Sequence, residues 1–170
     1  MTGDRSQQID AFLATAGWPG AAHDVLADDA SFRRYERVRL SDRQAVLMDA
    51  PSDKEDTRPF VTVARILRDL GLSAPEILAQ NVDQGFLLLE DLGDDTYTRV
   101  LARGGDEATL YALALETLIH LHQTFPVRDQ VPPYTIDKMM SEATLLIDYF
   151  WPAIKGQPCP EAERVLFQGL

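Results

Sequence analysis

The sequence predicts an α+β fold in two parts: a small antiparallel sheet with helices over residues 1–91, then an all-helical region over residues 92–170. Three observations carry this. Strand-like apolar runs bounded by turn residues occur only before Leu92, helical periodicities interleave with them in the order helix, two strands, helix, two strands, and from Asp95 onward only helical spacing recurs. The change of class falls at Leu92 and Gly93, inside the stretch GFLLLEDLGDDTYTRVL. There four large apolar residues, Phe86 to Leu89, run into Glu90, Asp91, Asp94 and Asp95. A buried strand that ends among carboxylates has to emerge at an edge or a cleft, because unpaired charge is costly to bury. The junction is therefore the expected place for a pocket.

In SQQIDAFLATAGW, the residues Ile9, Phe12, Leu13 and Ala16 share one helical face, with Ser6 as the expected N-cap and Gly17 as the stop. SFRRYERVRL alternates and QAVLMDAP is a shorter apolar run closed by Pro51; joined at Ser41 to Arg43, the two predict an antiparallel hairpin. From Thr57 to Leu70, Phe60, Val63, Ala64, Leu67 and Leu70 line one helical face, with Pro59 in the first turn and Gly71 past the end. Strands follow around Ile77 to Ala79 and Phe86 to Leu89, with a turn near Asn81 to Gly85. Beyond the junction, TYTRVLARGG reads as a short helix ended by Gly104 and Gly105, and DEATLYALALETLIHLHQTFP as a long one ended by Pro126. A third covers IDKMMSEATLLIDYFWPAI, where Met140, Ala143, Leu146, Ile147 and Phe150 form the expected core stripe. PEAERVLFQGL begins another helix that stops without a completed packing face. VLFQG also resembles a viral-protease cleavage sequence, with Leu170 in place of its proline, but an interrupted natural sequence explains the end better.

With 45% hydrophobic and 25% charged residues the chain has the composition of a folded protein. Its net charge of −11 is uneven: 10 Lys+Arg face 12 Asp+Glu up to Leu70, and 6 face 15 after it. The acidic half disfavours nucleic acid and anionic membranes, which need a basic footprint. A single cysteine, Cys159, makes no internal disulfide, and without a second cysteine or a nearby histidine pair it points to no zinc site. The opening MTGDRSQQID lacks the basic-then-apolar pattern of a signal peptide, and no apolar run approaches the ~20 residues of a membrane span. A cytoplasmic setting fits. His120 and His122 point about 200° apart on a helix and cannot share a metal ion. His122 shares a face with Leu115, Leu118 and Ile119 and is expected to be buried and hydrogen-bonded.

The segments DDASFRRYERV, AVLMDAP, LLLEDLGDDTY and ALETLIHLHQ, in this order and spacing, resemble the aminoglycoside phosphotransferase family. Within it they look most like the branch of cell-wall amino-sugar kinases that phosphorylate N-acetylmuramate and N-acetylglucosamine at the anomeric hydroxyl. The resemblance covers nearly the whole chain, but only the first half or so of a complete member. It implies a kinase-like fold, with a small N-terminal nucleotide lobe, a hinge, and the beginning of an all-helical lobe that is incomplete here. It further implies ATP and Mg²⁺ as cofactors and a small sugar acceptor as partner.

By that resemblance, Asp28 to Arg34 covers the nucleotide phosphates, which brings Ala30, Ser31, Phe32 and Arg33 to the nucleotide. Such a loop works by turning backbone N–H groups, and a hydroxyl such as that of Ser31, toward phosphate oxygens. Met48 matches the position of the basic residue that contacts the α- and β-phosphates in most relatives, and a thioether cannot do that work. Three alternatives follow: magnesium and backbone contacts suffice, an arginine such as Arg33 substitutes, or nucleotide binding is weakened. Glu55, with no lysine to hold, reads as a surface charge. Leu87 to Leu89 would line the adenine pocket, and the backbone of Glu90, Asp91 and Leu92 would read the purine edge. Glu90 and Asp91 are then expected to turn outward, Gly93 to bend the chain, and Asp94 or Asp95 to cap the next helix. Glu142 is the candidate contact for the acceptor sugar. The family's His-Gly-Asp-type catalytic loop and following Asp motif do not occur before Leu170. No catalytic residue or metal ligand is therefore expected within the chain, and the Mg²⁺ ligands are expected beyond residue 170. Two other readings stay open: an aminoglycoside or choline-type kinase, whose cationic acceptor the acidic half would favour, and a non-catalytic nucleotide-binding pseudokinase fragment.

Overall fold

The computed structural model describes residues 2–28, 32–125 and 131–169, and the chain divides into two compact units, Met1–Pro126 and Val127–Leu170. In the first unit the elements run α1 (Thr2–Thr15), β1 (Ala22–Asp28), β2 (Arg34–Leu40), β3 (Arg43–Asp49), α2 (Arg58–Asp69), β4 (Ile77–Asn81), β5 (Phe86–Glu90), α3 (Tyr97–Ala102) and α4 (Glu107–Thr124). The strands form one antiparallel sheet in the order β1-β2-β3-β5-β4.

The four apolar residues of β5 alternate between the two faces of this sheet, and each face needs its own cover. Phe86 and Leu88 join Val38, Ala45 and Leu47 against Ile9, Phe12 and Leu13 of α1 and against Trp18. Leu87 and Leu89 join Met48 on the opposite face, against Val61 of α2. All four of these apolar residues are buried. The predicted helical stripe of α1 is thus the stripe that packs, but the helix starts at Thr2 rather than Ser6. Arg5 rewards the extension: its guanidinium lies 3.9 Å from the Phe86 ring centroid, donates to the buried Asp49 at 2.5 and 3.1 Å and to the Gln84 carbonyl at 2.8 Å. α2 matches its expected span, and Gly71 follows with φ +77°, its N–H donating to the Arg68 carbonyl.

The sequence reading missed β1. Its large apolar residues, Val25 and Leu26, are exposed, so the strand is held at the sheet edge by its ladder to β2 and leaves no burial pattern to read. The β2–β3 hairpin was expected and is present, turning through Ser41 at φ +56°.

In the second unit, α5 (Ile136–Ala143) passes through a π-helical turn, Leu146–Phe150, into α6 (Trp151–Lys155), and α7 (Glu161–Gln168) follows. The predicted stripe from Met140 to Phe150 is largely not a core: Ile147 is buried, whereas Ala143, Leu146 and Phe150 are exposed. Pro152 supplies the physical reason. It has no N–H to continue the ladder, and the Trp151 N–H reaches back five residues to the Leu146 carbonyl, which widens the helix and turns its stripe.

Two glycines make contrasting demands. A Cβ on Gly85 would lie 1.7 Å from the Ala50 carbonyl oxygen at φ +77°, whereas one on Gly71 would meet nothing within 4 Å. Gly85→Ala should therefore cost about 3 kcal/mol or more and Gly71→Ala about 1–2 kcal/mol, the left-handed penalty alone. Urea denaturation measures both; equal losses would show that the close approach of β5 to Ala50 is not rigid.

Candidate functional site

Opposed residues of an antiparallel ladder share a face. The registers Tyr35–Met48–Leu87 and Arg37–Val46–Leu89 therefore set these six side chains on the face that α2 partly covers. Met48 and Leu89, both predicted site residues, are buried in the same apolar cluster, with Tyr35 and Val46 packed at its margin. A fully buried thioether at position 48 offers no charge to a ligand.

Of the predicted phosphate loop, Ala30 and Ser31 lie outside the described residues, and Phe32 is exposed. Arg33 donates from Nε and Nη2 to Glu55 at 2.9 and 2.8 Å. Glu55 is therefore not the surface charge expected of it; its carboxylate is 17% exposed and holds an arginine in place of a lysine. Burial opposes the charge on Arg33, but hydrogen bonds with Tyr35 and Glu55 outweigh it, so the guanidinium is held above its ordinary pKa. Arg33 also stands at one end of a groove of about 320 Å³ whose walls include Phe60, Ala64 and Leu67 of α2.

The chain leaving β5 is tied on both sides. Glu90 accepts from Arg68 at 3.2 Å and from the Glu76 N–H at 3.0 Å, and its own N–H donates to the Glu76 carbonyl at 2.8 Å. Asp91 does not turn outward as expected. Its carboxylate, 5% exposed, accepts from Arg37 Nε at 2.6 Å and Nη2 at 3.2 Å, from Gln44 at 2.6 Å and from the Gly93 N–H at 2.9 Å. The same guanidinium donates from Nη1 and Nη2 to Asp94 at 2.9 and 3.1 Å. Nor do Asp94 and Asp95 cap the next helix: Thr96 does, its hydroxyl accepting from the Arg99 N–H, while Asp95 pairs with Arg103 at 2.6 Å. Leu92 is exposed, and among the described residues its N–H finds no acceptor.

Burial pushes the Asp91 carboxyl up, but hydrogen bonds from Arg37, the Gly93 N–H and Gln44 more than offset this and hold it below the ordinary carboxylate value. Arg37 is raised far above its ordinary value, first by the hydrogen bond to Asp91 and then by that to Asp94. Sequence reasoning missed Arg37. The available signal was an arginine in the middle of an otherwise packable strand together with surplus carboxylates just after β5.

His122, expected to be buried, is exposed, and it is His120 whose Nε2 donates to the Leu70 carbonyl at 2.8 Å, tying α4 to the end of α2. In the second unit, Glu142 accepts from the Tyr134 hydroxyl and from Lys138 at 3.1 Å at an exposed position. These hydrogen bonds hold its carboxyl low, Tyr134 contributing most. Among the described residues no group of three or more His, Cys, Asp or Glu side chains is placed to hold a metal ion, and no helix is long and apolar enough to cross a membrane.

A five-stranded antiparallel sheet with α2 between its third and fourth strands, an exit linker after β5 and helices beyond is the element order of a kinase-like N-terminal lobe. Residues 24–160 match the Phosphotransferase enzyme family, and the chain belongs to it, with the kinase-like fold that the family implies. The chain is 40% identical over 157 residues, 86% of its length, to the N-acetylmuramate/N-acetylglucosamine kinase of Pseudomonas aeruginosa, of which the match covers 46%. It is 30% identical over 165 residues to the kinase of the same name from Pseudomonas putida, covering 95% of this chain and 48% of that one. The corresponding figures for the Caulobacter vibrioides kinase are 33% over 149 residues, 72% and 41%. The chain thus spans about half the length of the curated relatives it matches.

The depressed Asp91 pKa fixes the sign of a pH effect. Its contribution to stability is present above the ordinary carboxylate range and is lost as the pH falls through its depressed folded value. Asp91→Asn should lower stability at neutral pH and flatten the loss between about pH 5 and 2. Denaturation midpoints across that range measure this; parallel curves for the two proteins would remove Asp91 from the acid transition.

Proposed function

We propose that the chain is the nucleotide lobe, residues 1–91, and the first part of the helical lobe, residues 92–170, of an ATP-dependent kinase. Its acceptors are N-acetylmuramate and N-acetylglucosamine, phosphorylated at the anomeric hydroxyl in cytoplasmic cell-wall recycling. The observation that carries the reading is the match to relatives bearing that name, which runs through the sheet and across the exit linker into the helices. Among the described residues every strand lies before Asp91 and the regular elements after it are helical, which supports the proposed lobe boundary.

The residues fit a nucleotide. Val46, half-buried at the margin of the cluster that buries Met48 and Leu89, is the proposed apolar surface for a base, and the Leu92 N–H, without an acceptor among the described residues, is the proposed donor to it. Arg33, oriented by Glu55, is the proposed cation for the phosphates; Ala30 and Ser31, which lie outside the described residues, and the exposed Phe32 precede it in the sequence and are proposed to join it there. Side-chain identity at Glu90 and Asp91 serves the fold, and the backbone there does the reading. ATP, when bound, supplies the phosphoryl group that passes to the sugar. The described residues hold no cluster that fits Mg²⁺; by the resemblance to the family, its ligands and the base that takes the acceptor proton are proposed to lie beyond residue 170. Glu142, already engaged by Tyr134 and Lys138, is the proposed sugar contact, a carboxylate with an aromatic neighbour.

Phosphorus NMR with ATP, Mg²⁺ and each amino sugar tests this, comparing the 170-residue chain with the product of its complete reading frame. The expected result is an anomeric sugar phosphate from the complete protein alone. Turnover of aminoglycosides or choline without amino-sugar turnover would overturn the acceptor assignment, and nucleotide binding without turnover of any acceptor would favour a pseudokinase. In the same protein, Arg33→Gln should weaken ADP and ATP binding by about tenfold and leave adenosine binding unchanged. Calorimetry with the three ligands measures the difference; equal losses for adenosine would remove Arg33 from the phosphate role.

A further inference from the structure

We propose that Arg37 is a positioning residue for the base end of the nucleotide site: by gripping Asp91 and Asp94 together it fixes the linker backbone so that the Leu92 N–H is presented to a purine edge. The inference rests on the nucleotide reading above.

The geometry is specific to a guanidinium. One edge of Arg37, Nε with Nη2, is spent on Asp91, and the other, Nη1 with Nη2, on Asp94. An ammonium is a point charge and cannot span both carboxylates in this way. The pair is also dry enough to matter, with Arg37 12% and Asp91 5% exposed. Surface pairs contribute little, whereas removing one partner of a desolvated pair leaves the other charge uncompensated.

The clamp leaves the linker little freedom. Glu90 is anchored to Arg68 and to the Glu76 N–H, and Asp91 to Arg37 and Gln44, while the Gly93 N–H is taken by Asp91 itself. Leu92 lies between these anchors with its N–H unclaimed among the described residues. Arg37 reaches the linker from β2, the strand that also carries the end of the proposed phosphate loop. One side chain therefore links the strand that follows the proposed phosphate loop to the linker assigned to the base.

The test uses the protein from its complete reading frame and the variants Arg37→Met, Arg37→Lys and Asp94→Asn. Arg37→Met should raise the KM for ATP about tenfold, weaken adenosine inhibition to match, and change the ATP-to-GTP preference at least about fivefold, with the sugar KM within about twofold. Arg37→Lys and Asp94→Asn should show smaller shifts in the same direction. A variant that merely loses thermal stability, with ATP KM and adenosine inhibition unchanged, would overturn the proposal, as would equal rises in the ATP and sugar KM. Should Arg37→Met not fold, unchanged ATP KM in both milder variants overturns it equally. If the unmodified protein shows neither turnover nor adenosine binding, the nucleotide reading falls and takes this inference with it. If it binds adenosine and the variants do so equally well, this inference alone falls.

Discussion

The first unit depends on one constraint, that β5 must be dry on both faces. Four successive large apolar side chains leave no face of the strand for water. The fold meets this by placing α1 and Trp18 on one side and α2 on the other, each supplying an apolar stripe of its own. Strand order follows from the same need, since β5 sits between β3 and β4 rather than at an edge. Fully burying a large aliphatic side chain stabilises by about 1.5–3 kcal/mol, so these four outweigh any single polar contact described above.

A strand buried on both faces cannot simply end in charge. The carboxylates that follow β5 are each matched: Glu90 by Arg68, Asp91 by Arg37, Asp94 by Arg37 and Arg99, Asp95 by Arg103. This accounts for the acidic knot without a ligand. The same ion pairs hold the linker where the chain passes from sheet to helices.

The Arg33–Glu55 pair has a similar logic. Met48 is buried beside Val61 of α2 and carries no charge, and Glu55 is held by Arg33 instead of a lysine. By contrast, Leu113, Leu115, Leu118 and Ile119 of α4 are each at least half exposed, and the chain spans about half the length of its curated relatives.

The sequence by itself determined the elements whose burial is periodic: the stripe of α1, the span of α2, the β2–β3 hairpin and the two-sided β5 all leave regular apolar patterns. It determined the family too, because short segments in fixed order survive as a signature. What it could not determine were features with no periodic signal. Edge strand β1 is held by backbone hydrogen bonds with Val25 and Leu26 exposed. The π-helical turn arises from a missing N–H at Pro152 and displaces a stripe that looked regular. Above all, the partners of the ions were decided by tertiary structure alone. Arg37 and Asp91 are 54 residues apart and Arg33 and Glu55 are 22 apart, and Coulomb attraction acts on distance in space, which a linear pattern of charges does not contain.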